Sequence, residues 1–95
     1  MSELKPQEFN DEEVSEEPTV GLPYKVILYN DDYHSFDEVI NQLIKAINCS
    51  YEEARGYAFE THVRGKSMVF SGELNICLKV TSILEEISLH TQIVS

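Results

Sequence analysis

Two copies of one four-residue motif, SFDE at 35–38 and SYEE at 50–53, mark the starts of two helices in this chain. In this motif, the capping box, the serine side chain accepts a hydrogen bond from the backbone N–H three residues on, and the glutamate accepts one from the serine's own N–H. Apolar residues at helical spacing follow the first motif and predict an amphipathic helix over 36–47. The second motif predicts a helix over about 51–64, with Gly65 as its C-terminal cap.

The segment before the first helix has the character of a strand. Tyr24–Tyr29 is apolar on both faces apart from Lys25, which is typical of a central strand. The pattern further on predicts a short strand at Lys66–Phe70, a helix from Leu74 to about Glu86 and a closing strand at Leu89–Val94. The predicted fold class is α+β: a small two-layer sandwich in the order β-α-α-β-α-β, with three helices on one face of a three-stranded sheet.

The N-terminal part of the chain differs from the rest in composition. Residues 1–18 hold seven of the 17 acidic residues and one lysine, which is about −6 of the net charge of −10. With few large apolar residues, this part cannot bury enough surface to offset the entropy lost on ordering. We therefore predict a disordered acidic tail over 1–22 and one core domain over 23–95.

The charge and the cysteines narrow the class of protein. An acidic chain is a poor partner for nucleic acid or an anionic membrane and a better one for amino-bearing groups. No segment is apolar over a membrane-spanning length, and no signal peptide is visible. Cys49 and Cys77 lie outside any CxxC pair and have no histidine at ligand spacing, so we expect reduced thiols and a cytoplasmic location.

The polar triplet Asn30-Asp31-Asp32 follows the first predicted strand directly. Asn and Asp are common in turns because their side chains bond nearby backbone N–H groups, so a turn is the first interpretation. Three such residues with adjacent like charges exceed what a turn requires. Fixed at the end of a rigid strand, their oxygens could hold a cation.

Two other side chains have two interpretations each. His62, late in the second helix, is either a capping histidine stabilised by the helix dipole or a polar nitrogen beside a pocket formed by Ala58 and Thr61. Phe36, in the first turn of the first helix, is expected to pack in the core, with the rim of a cavity as the alternative.

The stretches YKVILYNDDYHSFDEVI at 24–40 and HVRGK at 62–66 resemble ClpS, the adaptor of the Clp ATPase–protease that recognises N-degrons. The resemblance runs from residue 23 to about residue 80. It implies a monomeric, non-enzymatic protein that binds substrates whose first residue is Phe, Leu, Trp or Tyr. Such an adaptor hands the substrates to the N-terminal domain of an unfoldase of the ClpA or ClpC type.

The resemblance also implies site residues. The free α-amino group of the substrate would be held by Asn30, Asp31, Asp32 and His62. The side-chain pocket would be lined by Phe36, Val39, Ala58, Thr61 and Leu89, where Phe36 stands at a gate position that is usually Met. Docking on the unfoldase would involve Glu73 and Lys79. Family members usually carry larger apolar residues at the positions of Ala58 and Thr61, which leaves the size and polarity of this pocket open.

Two further interpretations stand beside this one. The chain could be a regulatory module that docks on a Clp unfoldase and has a degenerate N-degron pocket. An enzyme that uses Asp31, Asp32 and His62 is disfavoured, because no Ser or Cys has a recognisable nucleophile setting and one His with two adjacent Asp makes a poor zinc site. We expect no metal and no cofactor. His34 and His90 have no comparable context and are expected to be exposed.

Overall fold

A computed structural model of the chain describes residues 23–95. The predicted tail at 1–22 lies outside these described residues. The elements run in the order β1 (Tyr24–Tyr29), α1 (Phe36–Ile47), α2 (Tyr51–Arg64), β2 (Lys66–Gly72), α3 (Leu74–Leu84), a 3₁₀ turn (Glu85–Ile87) and β3 (Thr91–Val94). The predicted order β-α-α-β-α-β is confirmed.

The three strands form one antiparallel sheet in the order β2-β1-β3, so β1 is central as predicted. β1 pairs with β2 over its whole length and with β3 over Lys25–Leu28. The register with β2 shifts by one residue between Val26 and Ile27, as in a β-bulge. A bulge increases the local twist, which helps a small sheet curve around the helices that cover it.

Both capping boxes form in the structure. The hydroxyl of Ser35 accepts a hydrogen bond from the N–H of Glu38 at 3.1 Å, and the N–H of Ser35 donates to the Glu38 carboxylate at 2.8 Å. The same pair of bonds joins Ser50 and Glu53 at 3.0 and 3.1 Å. α2 ends at Gly65, whose φ of 88° lies in the left-handed region, and this confirms the predicted glycine cap.

The hydrophobic core lies between the sheet and the helices. In β1, Val26 and Leu28 are fully buried and their neighbours in the strand are partly exposed, so the helices cover one face of the sheet. The core consists of Val26, Leu28, Ile40, Leu43, Ala54, Ala58, Val69, Cys77, Val80, Leu84 and Leu89. Cys77 is a free thiol inside this core.

Across residues 23–95, none of the helices combines the length and the apolar character that crossing a membrane requires.

The C-terminal part differs from the prediction in its boundaries. β2 continues to Gly72, two residues beyond its predicted end at Phe70, because Ser71 and Gly72 also pair with β1. The helix predicted from Leu74 to about Glu86 is an α-helix, α3, only to Leu84. The chain then tightens into the 3₁₀ turn, which is a common way for a helix to end. The closing strand begins at Thr91, so Leu89 belongs to the connection before it.

The capping box of α2 can be tested by stability. Replacing Ser50 by Ala removes the oxygen that accepts the N–H of Glu53, and we expect the free energy of unfolding to fall by about 1 kcal/mol. Urea unfolding followed by circular dichroism measures the change. Ser82→Ala, at an exposed position of α3, is the control and should change stability by less than about 0.5 kcal/mol. Equal losses in both variants would contradict a capping role for Ser50.

Candidate functional site

A cavity of about 470 Å³ opens where β1 ends, between the first turn of α1, the second half of α2 and the connection before β3. All nine residues predicted for substrate binding line it: Asn30, Asp31, Asp32, His62, Phe36, Val39, Ala58, Thr61 and Leu89. Leu28, Tyr29 and His34 complete the lining. Glu73 and Lys79, predicted for docking on an unfoldase, lie elsewhere, exposed at the start and middle of α3.

The end of β1 is held from both sides. The N–H of Tyr29 donates to the carbonyl of His90 at 3.0 Å, and the N–H of Asn30 donates to the carbonyl of Gly65 at 2.9 Å. Because Gly65 caps α2, the second bond ties the strand end to the helical turn that carries His62. The polar triplet and His62, about thirty positions apart in sequence, are therefore anchored to each other through the backbone.

Asp31 forms the turn that the residue types alone predicted. One carboxylate oxygen accepts the N–H groups of Tyr33 and His34 at 2.8 and 2.9 Å, which is the geometry of an Asx turn. The other oxygen lies 2.8 Å from Nδ1 of His34. Its neighbours Asn30 and Asp32 are exposed at the cavity. The triplet thus combines one carboxylate that builds the turn with an amide and a carboxylate that face outward.

His34 was expected to be exposed, and this expectation is wrong. Its side chain is only 13% exposed and lies between two acceptors, with Nδ1 toward Asp31 and Nε2 toward the carbonyl oxygen of Ile87. Both ring nitrogens must donate to satisfy both acceptors, and only the imidazolium form can do so. The sequence places a histidine three residues after Asp31, which is a visible signal, but Ile87 is 53 positions away.

Asp31 and His34 each shift the pKa of the other. The hydrogen bond to the Ile87 carbonyl, followed by the bond to Asp31, raises the pKa of His34 above its ordinary 6.5. Partial burial alone would raise the pKa of Asp31, but the hydrogen bonds from Tyr33 and His34 outweigh it and hold that pKa below 3.8. Both shifts favour the charged forms, His34 as imidazolium and Asp31 as carboxylate.

Phe36 lies at the rim of the cavity, so the expectation of core packing is wrong. Its side chain is 37% exposed because the first turn of α1 projects beyond the core. The guanidinium carbon of Arg55, on α2, lies over the ring at 6.0 Å from its centroid, the outer limit of a cation–π contact. The ring thus reaches from α1 toward α2 at the mouth of the cavity.

The hydroxyl of Thr61 is satisfied away from the cavity. It donates to the carbonyl of Tyr57 at 2.8 Å and lies 2.6 Å from the hydroxyl of Ser67, a buried residue of β2 that does not line the cavity. The methyl group is the part of Thr61 left to face the cavity. Together with Ala58 and Leu89, which are 3% and 4% exposed, it forms an apolar wall.

Comparison with known proteins shows which family this chain is similar to. A family model described as ATP-dependent Clp protease adaptor protein ClpS matches residues 21–92. The chain belongs to the ClpS family. The ATP-dependent Clp protease adapter protein ClpS of Treponema denticola is 39% identical over 67 residues, 70% of this chain and 66% of that protein. The ClpS of Wolinella succinogenes is 38% identical over 58 residues, 59% of this chain and 57% of that protein.

The chain is also similar to a part of some much longer proteins. The human E3 ubiquitin-protein ligase UBR2 is 34% identical over 61 residues, which is 64% of this chain but 4% of the ligase. Among solved structures, Agrobacterium tumefaciens ClpS2 bound to L-phenylalaninamide superposes with a TM-score of 0.68, over 75% of this chain and 95% of that one, at 23% sequence identity. At that identity the match establishes a shared fold. Among residues 23–95, no three His, Cys, Asp or Glu side chains are arranged to hold a metal ion.

The ion pair can be tested through the pH dependence of stability. Asp31→Asn keeps an oxygen for the two backbone N–H groups but removes the charge opposite His34. Asp31, with a lowered pKa, stabilises the fold above about pH 3.8 and loses this effect as the pH falls through its folded pKa. His34, with a raised pKa, stabilises the fold below about pH 6.5 and loses the effect as the pH rises through its folded pKa.

We therefore expect the loss of stability in Asp31→Asn to be largest between about pH 3.8 and 6.5. Urea unfolding of both proteins at acidic, intermediate and alkaline pH measures it. Asp32→Asn, an exposed neighbour of the same charge, is the matched control and should show no such maximum. A loss that is equal at every pH would mean that the carboxylate and the imidazole do not form an ion pair.

Proposed function

We propose that this ClpS-family chain is an adaptor that binds proteins by a free N-terminal residue with a large apolar side chain and delivers them to a Clp unfoldase. The observation that carries the proposal is one cavity in which outward-facing acceptors adjoin an apolar wall. The structurally similar ClpS2 holds L-phenylalaninamide, a molecule with a free amine next to an aromatic side chain. A cavity with these two halves fits that kind of ligand.

The acceptors suit a free α-ammonium group. Such a group has three donors, and the amide oxygen of Asn30, the carboxylate of Asp32 and a neutral nitrogen of His62 are three acceptors. Asp31, predicted for the same role, already receives two backbone N–H groups and His34. In this proposal Asp31 holds the turn and contributes charge, and the other three residues contact the amine.

The apolar wall suits the first side chain of the substrate. Burying a Leu or Phe side chain contributes about 1.5–3 kcal/mol, enough to favour large apolar residues over small or polar ones by tenfold or more. Val39, Ala58, Thr61 and Leu89 would line this part of the site, and Phe36 would stand at its mouth. Amine and side chain are then recognised together, so neither an internal Phe nor an N-terminal Gly would bind well.

Delivery to the unfoldase is the second half of the proposal, and it rests on family membership. The partner would be the N-terminal domain of a ClpA- or ClpC-type ATPase, which the adaptor would meet as a monomer in the cytoplasm. Glu73 and Lys79, both exposed on α3, are the residues proposed for this contact. They lie outside the cavity, so substrate and unfoldase could be bound at the same time.

Peptide binding tests the site directly. Fluorescence anisotropy with peptides that begin with Phe, Leu, Trp or Tyr should show binding that is lost when the same peptides are N-acetylated, because acetylation removes the ammonium charge. His62→Ala and Asp32→Ala should each weaken binding by about tenfold or more, since each removes an acceptor for a charged donor. Glu52→Gln, at an exposed residue of α2 outside the cavity lining, is the control. Equal affinity for free and acetylated peptides would sink the proposal.

The side-chain half of the site has its own test. Ala58→Val adds two methyl groups to the apolar wall, and we expect the affinity for Trp-first peptides to fall at least about threefold more than that for Leu-first peptides. Anisotropy with the same peptide panel measures the ratio, and thermal unfolding shows that the variant remains folded. Parallel losses for all first residues would mean that the space near Ala58 does not receive the side chain.

A further inference from the structure

His34 joins two segments of the cavity wall that are far apart in sequence. Nδ1 lies 2.8 Å from the carboxylate of Asp31, in the turn after β1, and Nε2 contacts the carbonyl oxygen of Ile87, at the end of the 3₁₀ turn. The first contact fixes the polar triplet, and the second fixes the chain that leads to Leu89. One imidazole ring therefore connects the polar and the apolar halves of the cavity.

Leu89 is held from two sides. Two residues before it, Ile87 contacts His34, and one residue after it, the carbonyl of His90 accepts the N–H of Tyr29 at 3.0 Å. Between Ile87 and Leu89 lies Ser88, a non-glycine residue with a φ of 67°, in the left-handed region that L-residues adopt at some cost. The contact between His34 and the Ile87 carbonyl helps to maintain this conformation of Ser88. It thereby helps to position Leu89 in the cavity wall.

The start of the 3₁₀ turn is anchored independently of His34. The side-chain amide of Gln42 donates to the carbonyl of Ile83 at 2.6 Å, and Lys45 pairs with Glu86 at 2.8 Å. Loss of the His34 contact would therefore leave the turn docked on α1. The effect would be confined to residues 87–89, which are the ones that shape the apolar wall.

The two contacts of the His34 ring, with Asp31 and with the Ile87 carbonyl, form a clamp that depends on protonation of the ring. A neutral imidazole has one N–H and can serve only one of its two acceptors, whereas the imidazolium serves both. The charged groups that act on the ring are Asp31 in its own turn and Glu38 on α1; the 3₁₀ turn presents the Ile87 carbonyl, and His62 of α2 lines the same cavity. Both nearby carboxylates favour the charged ring.

We infer that His34 is a positioning residue whose imidazolium form holds Leu89 and the polar triplet in the arrangement that binds an N-terminal residue, so that loss of its second proton weakens binding. This inference rests on the proposed function and adds regulation to the same site. Two contributions to the binding of a free-amine peptide then weaken with rising pH, since the peptide amine and the His34 ring both lose protons. The two contributions are separable because only one depends on residue 34.

The test is the ratio of dissociation constants for His34→Gln and wild type, measured from pH 5.5 to 8.5 with one Leu-first peptide. Titration of the peptide amine, and of every group that the two proteins share, affects both proteins and cancels in the ratio. We expect the variant to bind about fivefold more weakly at pH 6, the effect of one hydrogen bond, and the ratio to approach one at pH 8.5. Glu52→Gln, at an exposed residue of α2 outside the cavity lining, is the control and should keep the wild-type profile.

A ratio that stays constant with pH would reduce His34 to a structural residue and overturn the inference, as would equal binding at pH 6. NMR of the free protein gives an independent readout. Both ring nitrogens of His34 should be protonated at pH 6, and amide exchange at Ser88 and Leu89 should accelerate in His34→Gln but not in Glu52→Gln. If no free-amine peptide binds wild type, the proposed function fails and the binding inference falls with it. The NMR result then decides whether the clamp itself exists.

Discussion

The backbone hydrogen bond from the N–H of Asn30 to the carbonyl of Gly65 is the contact on which the site depends. It joins the residue directly after the central strand to the cap of α2, where Gly65 turns the chain sharply with a φ of 88°. The space around Gly65 is open, so its conformation and not crowding favours glycine there. Without this turn, β2 could not run back beside β1, and His62 would not lie beside the polar triplet.

The polar triplet Asn30-Asp31-Asp32 presents less negative charge to the cavity than its sequence suggests. Of the two adjacent carboxylates, Asp31 is neutralised by His34 and occupied by backbone N–H groups. Asp32 is left as the exposed carboxylate of the triplet beside the cavity. A site with one outward carboxylate, one amide and one imidazole matches a single monovalent ammonium better than a divalent metal ion, which prefers several carboxylate or imidazole ligands.

How much the sequence predicts depends on how local each interaction is. The two capping boxes, the Gly65 cap and the central strand rest on neighbouring residues, and all appear with the predicted bounds. The ClpS resemblance implied nine of the twelve residues that line the cavity, whereas residue patterns alone favoured a core position for Phe36. The role of His34 could not be predicted, because its second partner is a backbone carbonyl 53 positions away. The 3₁₀ turn that presents this carbonyl has no distinctive composition.

Thr61 shows why residue type alone left the pocket undecided. A threonine in place of a larger apolar residue suggested a more polar or degenerate pocket. In the structure its hydroxyl is satisfied by Tyr57 and Ser67, so an unpaired polar group does not oppose an apolar ligand. Thr61 therefore adds no unpaired hydroxyl to the cavity lining. The polarity of this threonine is therefore no argument for a degenerate pocket, and the proposed receptor keeps an apolar wall beside the exposed Asn30 and Asp32.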